Sequence, residues 1–206
     1  MQSILAERLE IDEKLLRLAP KVDEFEGYSD AHAKRISSIA DALAAEFRLA
    51  SRDRFVLQQA ALMHDVGEMK MDRDYIRSSR VLSEEERLDL QRHPVIGEQE
   101  TAKLGLPRGV QLLVRWHHEW WNGTGYPDQL EGEQIPLAAR ILRVSDTYSA
   151  LTSVRPFRAI WPHAEAVKYL REWAGIEFDP FIVKAFIRLA EARRQSTHPQ
   201  QQVGPR

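Results

Sequence analysis

The chain has 206 residues, 43% of them hydrophobic, and a formal net charge of −2. This length and composition predict one globular domain with a full core, and the charge provides no basic field to attract a nucleic acid polymer or an anionic membrane surface. Because the chain has no cysteine, disulfides are excluded and any metal ligands must be His, Asp or Glu. No apolar run approaches the roughly 18 residues of a membrane span, and the N-terminus lacks a secretory layout, which favours a cytoplasmic protein.

The first predicted element is an amphipathic helix over residues 1–20. Its apolar residues repeat at heptad-like steps, and Pro20 is expected to end it. This helix either covers the core of its own domain or begins a coiled coil that joins two copies of the chain. Residues 21–193 are predicted to form the domain proper, and the Gln- and Pro-rich residues 194–206 a disordered tail.

The next two predicted helices carry the first candidate site residues. The second helix is expected to start near Tyr28 and carries His32 at the head of an apolar stripe, a position typical of a core histidine. A third helix, with Ser51 as its N-cap, is predicted to end in His-Asp-Val-Gly at residues 64–67, with Gly67 just past the last turn. Burying a carboxylate without a partner is costly, and a metal ion would supply that partner.

Caps and prolines indicate the central helices. Residues 83–86 form a capping box that opens a short helix, which stops at His93, and Pro94 suits the first turn of the following helix. A later apolar run spaced i, i+3, i+4, i+7 ends in two adjacent histidines and places His117 on the buried face, with His118 beside it. Neutral imidazoles held side by side on a rigid element are good ligands for transition metals.

A glycine loop and three more helices complete the prediction. The loop Asn122–Pro127 precedes a helix that Pro136 starts, and this helix carries Asp146 as an acid among apolar neighbours. Two closing helices are expected to begin at Pro162 and Pro180. No segment has the pattern of a strand, so the predicted fold is all-α.

Five histidines and two aspartates share a placement at helix ends or on inward-facing stripes. They are His32, His64, Asp65, His93, His117, His118 and Asp146. This inventory suits two metal ions that keep open positions for water and substrate. His163 lies in a surface-like helix and His198 in the tail, so neither is predicted to be a ligand.

The order of these motifs resembles the HD-GYP family of cyclic di-GMP phosphodiesterases, within the HD superfamily of metal-dependent phosphohydrolases. The resemblance runs from about Tyr28 to Phe186 and includes the tract from Ile135 to Arg158. It implies an HD-domain helical bundle with the HD-GYP extension helices. It also implies a hydrolase that uses two divalent transition metals, iron or manganese, to open cyclic di-GMP to linear pGpG, which is either released or cut further to GMP.

The resemblance further implies a role for each site residue. Four of them match the metal set common to HD hydrolases: His32, His64, Asp65 and Asp146. Three match the additions that hold a second ion, which Asp65 would bridge to the first: His93, His117 and His118. A metal-bridging water would attack phosphorus. Arg155 and Arg158 match the basic positions that meet the dinucleotide in relatives.

Three positions depart from the family pattern. Glu68 stands where the family has Lys, Tyr28 where three-metal relatives have Glu, and Asn122 where the loop usually has Asp. With Asp65, Glu68 is predicted to take part in catalysis. Its carboxylate either faces the phosphate, where it would oppose an anionic substrate and Lys70 could compensate, or binds a metal. Tyr28 favours two metals over three, and Asn122 keeps the turn chemistry.

Two other functions stay open. One is a catalytically weak protein that senses cyclic di-GMP or docks a diguanylate cyclase domain through the loop Asn122–Pro127, which Glu68 favours. The other is a hydrolase of another nucleotide, favoured if the two arginines do not face the metals. Trp120 and Trp121 either stack on guanine, contact a partner protein, or pack partly in the core. A homodimer is a further possible assembly.

Overall fold

The computed structural model describes residues 10–78, 80–154 and 159–197. These residues form ten α-helices, two 3-10 turns (Asp74–Arg77 and Gly132–Gln134) and no strand, so the all-α prediction is confirmed. The helices are α1 (Glu13–Phe25), α2 (His32–Glu46), α3 (Ser51–Met63), α4 (Val66–Met71), α5 (Glu84–Leu90), α6 (His93–Lys103), α7 (Arg108–Trp116), α8 (Leu137–Thr152), α9 (His163–Glu172) and α10 (Pro180–Thr197). No helix in these ranges has both the length and the apolar character that crossing a membrane requires.

The core lies where α2, α3, α7 and α8 pack on one another. Each contributes a stripe of apolar side chains that are fully buried, such as Ile36, Leu57, Val114 and Leu142. The stripe predicted for α7 is confirmed, and its continuation places His117 in the interior with no exposed surface. Removing these apolar surfaces from water stabilises the bundle, and the helix ends that it brings together carry the polar residues of interest.

Helix α1 runs through Pro20 to Phe25, so the prediction that Pro20 ends the first helix is wrong. Proline removes one helical hydrogen bond, but Pro20 and Leu16, whose carbonyl loses the bond, are both exposed, so water can replace it. The opposite face of α1 is buried, which supports a helix that covers its own domain. The boundary predicted at residue 20 therefore falls inside a helix, and α10 likewise passes residue 194. The division into domains stays a prediction.

Helices α4 and α6 approach each other almost backbone to backbone. Gly67 does not cap α3 as predicted but lies inside α4, where an added Cβ would be 2.0 Å from the carbonyl oxygen of His93 and 2.8 Å from the amide nitrogen of Gly97. A side chain at residue 67 would therefore push the two helices apart. Glycine is needed here for contact, and this contact sets His93 beside the end of α3.

Local signals for the other helix starts are mostly confirmed. Ser83 and Glu86 form the predicted capping box, and Pro94 lies in the first turn of α6. Ser51 is the first residue of α3 and Ala50 its N-cap, one residue earlier than predicted. The N-cap of α2 is Ala31, whose methyl group cannot accept a hydrogen bond from the first turn. The buried Asp23 of α1 accepts one from the Ala33 amide at 3.0 Å instead. This long-range cap fixes the start of α2 against α1.

Candidate metal centre

Three of the predicted ligand atoms form a compact triangle. Asp65 Oδ1 lies 3.2 Å from Nε2 of His93 and 3.2 Å from Nε2 of His117, and the two nitrogens are 3.3 Å apart. Atoms bound to one ion at about 2.0–2.2 Å are separated by roughly 3 Å. The triangle therefore has the dimensions of three ligands around a single metal ion.

Backbone hydrogen bonds orient the imidazoles toward this centre. Nδ1 of His64, His93 and His117 lies 3.1, 2.7 and 2.6 Å from the carbonyl oxygen three residues earlier in the chain. A carbonyl only accepts, so Nδ1 carries the proton and Nε2 presents its lone pair. Lone pairs and a carboxylate oxygen at the separations given above repel one another unless a cation or proton lies between them. The donor set therefore fits a metal ion.

A second group of predicted ligands adjoins the first. Asp146 Oδ1, on α8, lies 3.7 Å from Nε2 of His32 and 3.7 Å from Nε2 of His64. His64 Nε2 is also 3.1 Å from Asp65 Oδ2, so Asp65 touches both groups. Nδ1 of His32 is held by the Ser149 hydroxyl at 3.1 Å. The structure thus places Asp65 where the predicted bridging ligand would be needed.

The ring of His118 completes the predicted set but is held differently. One of its nitrogens lies within 4.8 Å of donor atoms from Asp65, His93 and His117. Its Nδ1, however, is 2.9 Å from a terminal guanidinium nitrogen of Arg143. A guanidinium only donates, so this Nδ1 accepts. His118 therefore has a side-chain partner where its three neighbours have backbone carbonyls.

Burial and charge set the protonation of these residues. Burial lowers the pKa of His117 and, more strongly, of His118, so both rings are neutral. His117 presents its Nε2 lone pair, whereas His118, whose Nδ1 accepts from Arg143, carries its proton on Nε2 and must give it up to bind a cation through that atom. Burial also acts to lower the pKa of His64, but the nearby carboxylates of Asp65 and Asp146 outweigh it and raise that pKa well above the usual value. A metal that binds His64 must therefore displace a proton.

Glu26 belongs to the centre and was missed from the sequence. It is only 5% exposed, and one of its oxygens lies within 4.8 Å of donor atoms of His32 and His64, and in a second set of Asp65 and Glu68. Four residues before His32 lies Tyr28 rather than an acid, and its ring stacks on the His32 ring at a centroid distance of 3.6 Å. A usable signal was present, because Glu26 continues the buried stripe of α1 that includes Leu15, Ala19 and Val22.

The glycine loop fixes the position of His118. A Cβ at Gly125 would be 2.2 Å from the amide nitrogen of Trp120, so only glycine fits. The Tyr126 amide donates to the His118 carbonyl at 3.1 Å, and the Tyr126 ring stacks on the imidazole. Asn122 Oδ1 accepts from the Thr124 amide at 3.1 Å, which confirms that asparagine keeps the turn chemistry there.

A cavity of about 360 Å³ opens onto the metal centre. Among the described residues that line it are four acids and one arginine: Asp65, Glu68, Asp146, Glu177 and Arg143. Trp120 also lines the cavity, whereas Trp121 packs its ring under the Arg140 guanidinium. Lys70, the suggested substitute for a cation at position 68, is exposed and does not line the cavity.

Some predicted residues lie elsewhere. Arg155 and Arg158, the predicted substrate-binding arginines, are outside the described residues, as is His198. His163 was not predicted to be a ligand, and its Nδ1 is hydrogen-bonded to the Tyr148 hydroxyl at 2.9 Å. That contact lies on a separate apolar groove between α2 and α10.

Comparison with known proteins agrees with this arrangement. The family model described as HD domain matches residues 10–182, which is most of the chain. The chain belongs to the HD domain family. Its predicted membership of the HD superfamily is therefore confirmed.

Two relatives of this HD domain have names that state an activity. The chain is 35% identical over 194 residues to the cyclic di-GMP phosphodiesterase response regulator RpfG of Xanthomonas campestris, covering 91% of this chain and 51% of the relative. It is 31% identical over 159 residues to the 3'3'-cGAMP-specific phosphodiesterase 3 of Vibrio cholerae, covering 77% of this chain and 35% of the relative. The chain thus spans about half or less of the length of these relatives.

A solved structure shares the fold of this HD domain. The crystal structure of a cyclic GMP-AMP specific phosphodiesterase of V. cholerae, V-cGAP3, superposes with a TM-score of 0.71 at 20% identity, covering 92% of this chain and 51% of that one. At this identity the likeness concerns the fold alone. It agrees with the helical architecture described above.

Proposed function

We propose that this HD domain is a metal-dependent phosphodiesterase of cyclic dinucleotides, of the HD-GYP type, and that cyclic di-GMP is its substrate. The triangle of Asp65 Oδ1 with Nε2 of His93 and His117 carries the proposal, because its sides of 3.2–3.3 Å suit one metal ion. The names of the relatives supply the substrate class. The proposed product is linear pGpG, either released or cut further to GMP.

The proposed metal centre holds two ions, with iron or manganese as the expected metals. One ion would be bound by Asp65, His93, His117 and His118, and the other by His32, His64, Asp65 and Asp146. Metals bound there would lower the pKa of a water and neutralise charge on the phosphate. The protein's own part is to orient the rings through backbone carbonyls and to present both groups at the floor of one cavity.

Glu68 is proposed to bind a cation rather than to face the substrate. Its carboxylate lies within 4.8 Å of oxygens from Glu26 and Asp65, and three acids this close repel one another without a positive charge between them. This geometry favours the metal-binding alternative for Glu68.

Arg155 and Arg158 are proposed to contact the dinucleotide. Helix α8 ends at Thr152, and Leu151 lines the cavity, so the chain leaves the helix beside the cavity only a few residues before Arg155. Replacing either arginine by alanine should weaken substrate binding while the metal content stays normal. The predicted docking of a cyclase domain on the loop Asn122–Pro127 and the predicted homodimer stay predictions.

Cyclic GMP-AMP is the second candidate substrate, because a relative at 31% identity is named as specific for it. It differs from cyclic di-GMP in one base, so the same metal centre would serve both. The contacts of the bases, to which Trp120 is well placed to contribute, would decide between them. The two dinucleotides should therefore be compared side by side.

The decisive experiment measures metal content and turnover on one preparation. Purified protein is supplied with Fe(II) or Mn(II), and hydrolysis of cyclic di-GMP and of 3'3'-cGAMP is followed by separation of linear and cyclic products. Linear product from wild type and none from Asp65→Ala is the expected result. Fully metal-loaded protein that binds cyclic di-GMP without cleaving it would favour the sensor alternative.

A further inference from the structure

Arg143 is the one arginine or lysine among the described residues that line the cavity over the metal centre. The four acids that share this lining give the cavity a strongly negative character. A cyclic dinucleotide carries a negative charge on each phosphate, so these acids repel it, and the repulsion grows as the distance between the charges falls. Bound metals offset part of that charge, and Arg143 is the described side chain in the lining that adds to their effect.

The guanidinium of Arg143 is held rigidly at the edge of the metal centre. It pairs with the buried Glu177 and donates to His118 Nδ1 at 2.9 Å. Glu177 is in turn held by the Tyr169 hydroxyl at 3.1 Å. The side chain of Arg143 is 13% exposed, so it is fixed by its partners and still reaches the cavity. Preorganised cations of this kind bind phosphate without first losing side-chain freedom.

Arg143 also keeps hydrogen-bond donors in reserve. A guanidinium has five N–H groups, and hydrogen bonds to His118 and Glu177 use two of them. Asp146 Oδ2 lies 3.6 Å from Nη1, beyond hydrogen-bond distance, so each terminal nitrogen keeps one N–H group that these three residues do not use. Nε has no partner among the described residues either, but it is buried. Planar donors that remain available suit the oxygens of a phosphate.

We propose that Arg143, on α8, binds a non-bridging phosphate oxygen of the substrate. It thereby supplies the positive charge that the family pattern places at position 68 on α4, where this chain has Glu68 instead of lysine. This inference rests on the proposed function, since it assumes a phosphodiester in the cavity. It assigns a substrate-binding role to a residue one helical turn before Asp146, so that metal ligand and phosphate ligand come from one face of one helix.

Arg140 offers a matched control on the same helix. Its side chain is 14% exposed, and it pairs with the buried Asp179 at 2.5 Å and donates to the Ile135 carbonyl at 2.8 Å. It resembles Arg143 in burial and in having an acidic partner, but it does not line the cavity. A purely structural role for Arg143 would make the two arginines equivalent in mutagenesis.

The test compares Arg143→Met, Arg143→Lys and Arg140→Met with wild type. For each, melting temperature, metal content, KM and kcat for cyclic di-GMP are measured, together with the inhibition constants of GMP and guanosine. Arg143→Met should raise both KM and the inhibition constant of GMP on the order of tenfold to a hundredfold, because a charged hydrogen bond to phosphate is lost. Guanosine, which has no phosphate, should inhibit as before. Arg143→Lys should recover part of the loss.

Three outcomes would overturn the proposal. The first is equal KM and GMP inhibition in Arg143→Met and wild type. The second is an equal rise of KM in Arg140→Met, which would indicate general disturbance of α8. The third is a loss of activity that follows metal content alone, in Arg143→Lys as well as Arg143→Met. Wild-type protein that carries its metals but cleaves neither cyclic dinucleotide would instead contradict the proposed function, and GMP binding would then still test Arg143.

Discussion

The two halves of the candidate metal centre differ in how tightly they are built. In the half formed by Asp65, His93 and His117, donor atoms lie 3.2–3.3 Å apart, and both rings are fixed by carbonyls three residues earlier. In the half formed by His32, His64 and Asp146, the carboxylate oxygen lies 3.7 Å from each nitrogen. The wider spacing of the second half arises at Asp146, since His64 is held by a carbonyl like the rings of the first half and lies 3.1 Å from Asp65 Oδ2. We therefore expect the first half to bind its ion more tightly.

Asp65→Ala should have the largest effect, because its two oxygens contact histidines of both halves. We expect both ions to be lost and turnover to fall to background. Metal analysis of the purified variant, beside a His163→Ala control with unchanged metal content, provides the measurement. Retention of two ions in Asp65→Ala would contradict the assignment of both halves.

Single histidine variants should separate the halves. His117→Ala is expected to lose the ion of the first half and His32→Ala that of the second, each leaving about one ion per chain. Affinity at the damaged half should fall at least about 100-fold, since even residues that only support ligands cost 10- to 100-fold. Titration with Mn(II) after chelation checks this. Identical titration curves for the two variants would mean that the halves are not separate.

Gly67→Ala should damage the first half without changing a ligand. The new Cβ would meet the His93 carbonyl at 2.0 Å, so α6 must move and carry His93 with it. We expect a loss of about 1–3 kcal/mol in the free energy of unfolding, typical of overpacking, and weaker binding of one ion. Thermal melts of the metal-free and metal-loaded protein measure both effects. Gly109→Ala, whose Cβ would meet a side-chain methyl of Val56 at 3.1 Å and no backbone atom, is the comparison.

Glu26→Gln should have the smallest effect, and it tests the metal binding of the second half. The change keeps the shape of the side chain but removes its charge from the donor sets with His32, His64 and Glu68. We expect about tenfold weaker binding of an ion, equal to about 1.4 kcal/mol, while His93 and His117 keep theirs. Glu68→Gln should behave alike. Normal metal binding with faster turnover in Glu68→Gln would instead place that carboxylate against the substrate.

The first half was the easier one to predict from sequence. Its residues lie beside local sequence signals, such as the proline after His93 and the pairing of His117 with His118. The folded structure keeps the local geometry that these signals predict. Arg143 enters the site through packing between α8 and the chain before α10, which no short-range pattern records. Glu26 continues the buried stripe of α1, but the helix end predicted at Pro20 hid that continuation. Pro20 misled for a related reason, since tertiary burial of the α1 stripe outweighs one lost hydrogen bond.

The ends of two helices add a contribution that does not depend on ionisable groups. His64 is the C-cap of α3 and His117 the C-cap of α7, so the carboxyl ends of both helices converge on the metal centre. Each helix dipole places about half a negative charge at its C-terminus. This potential persists when acid protonates the carboxylates. The backbone therefore adds to the carboxylates an attraction for cations and a repulsion of free anions that does not change with pH.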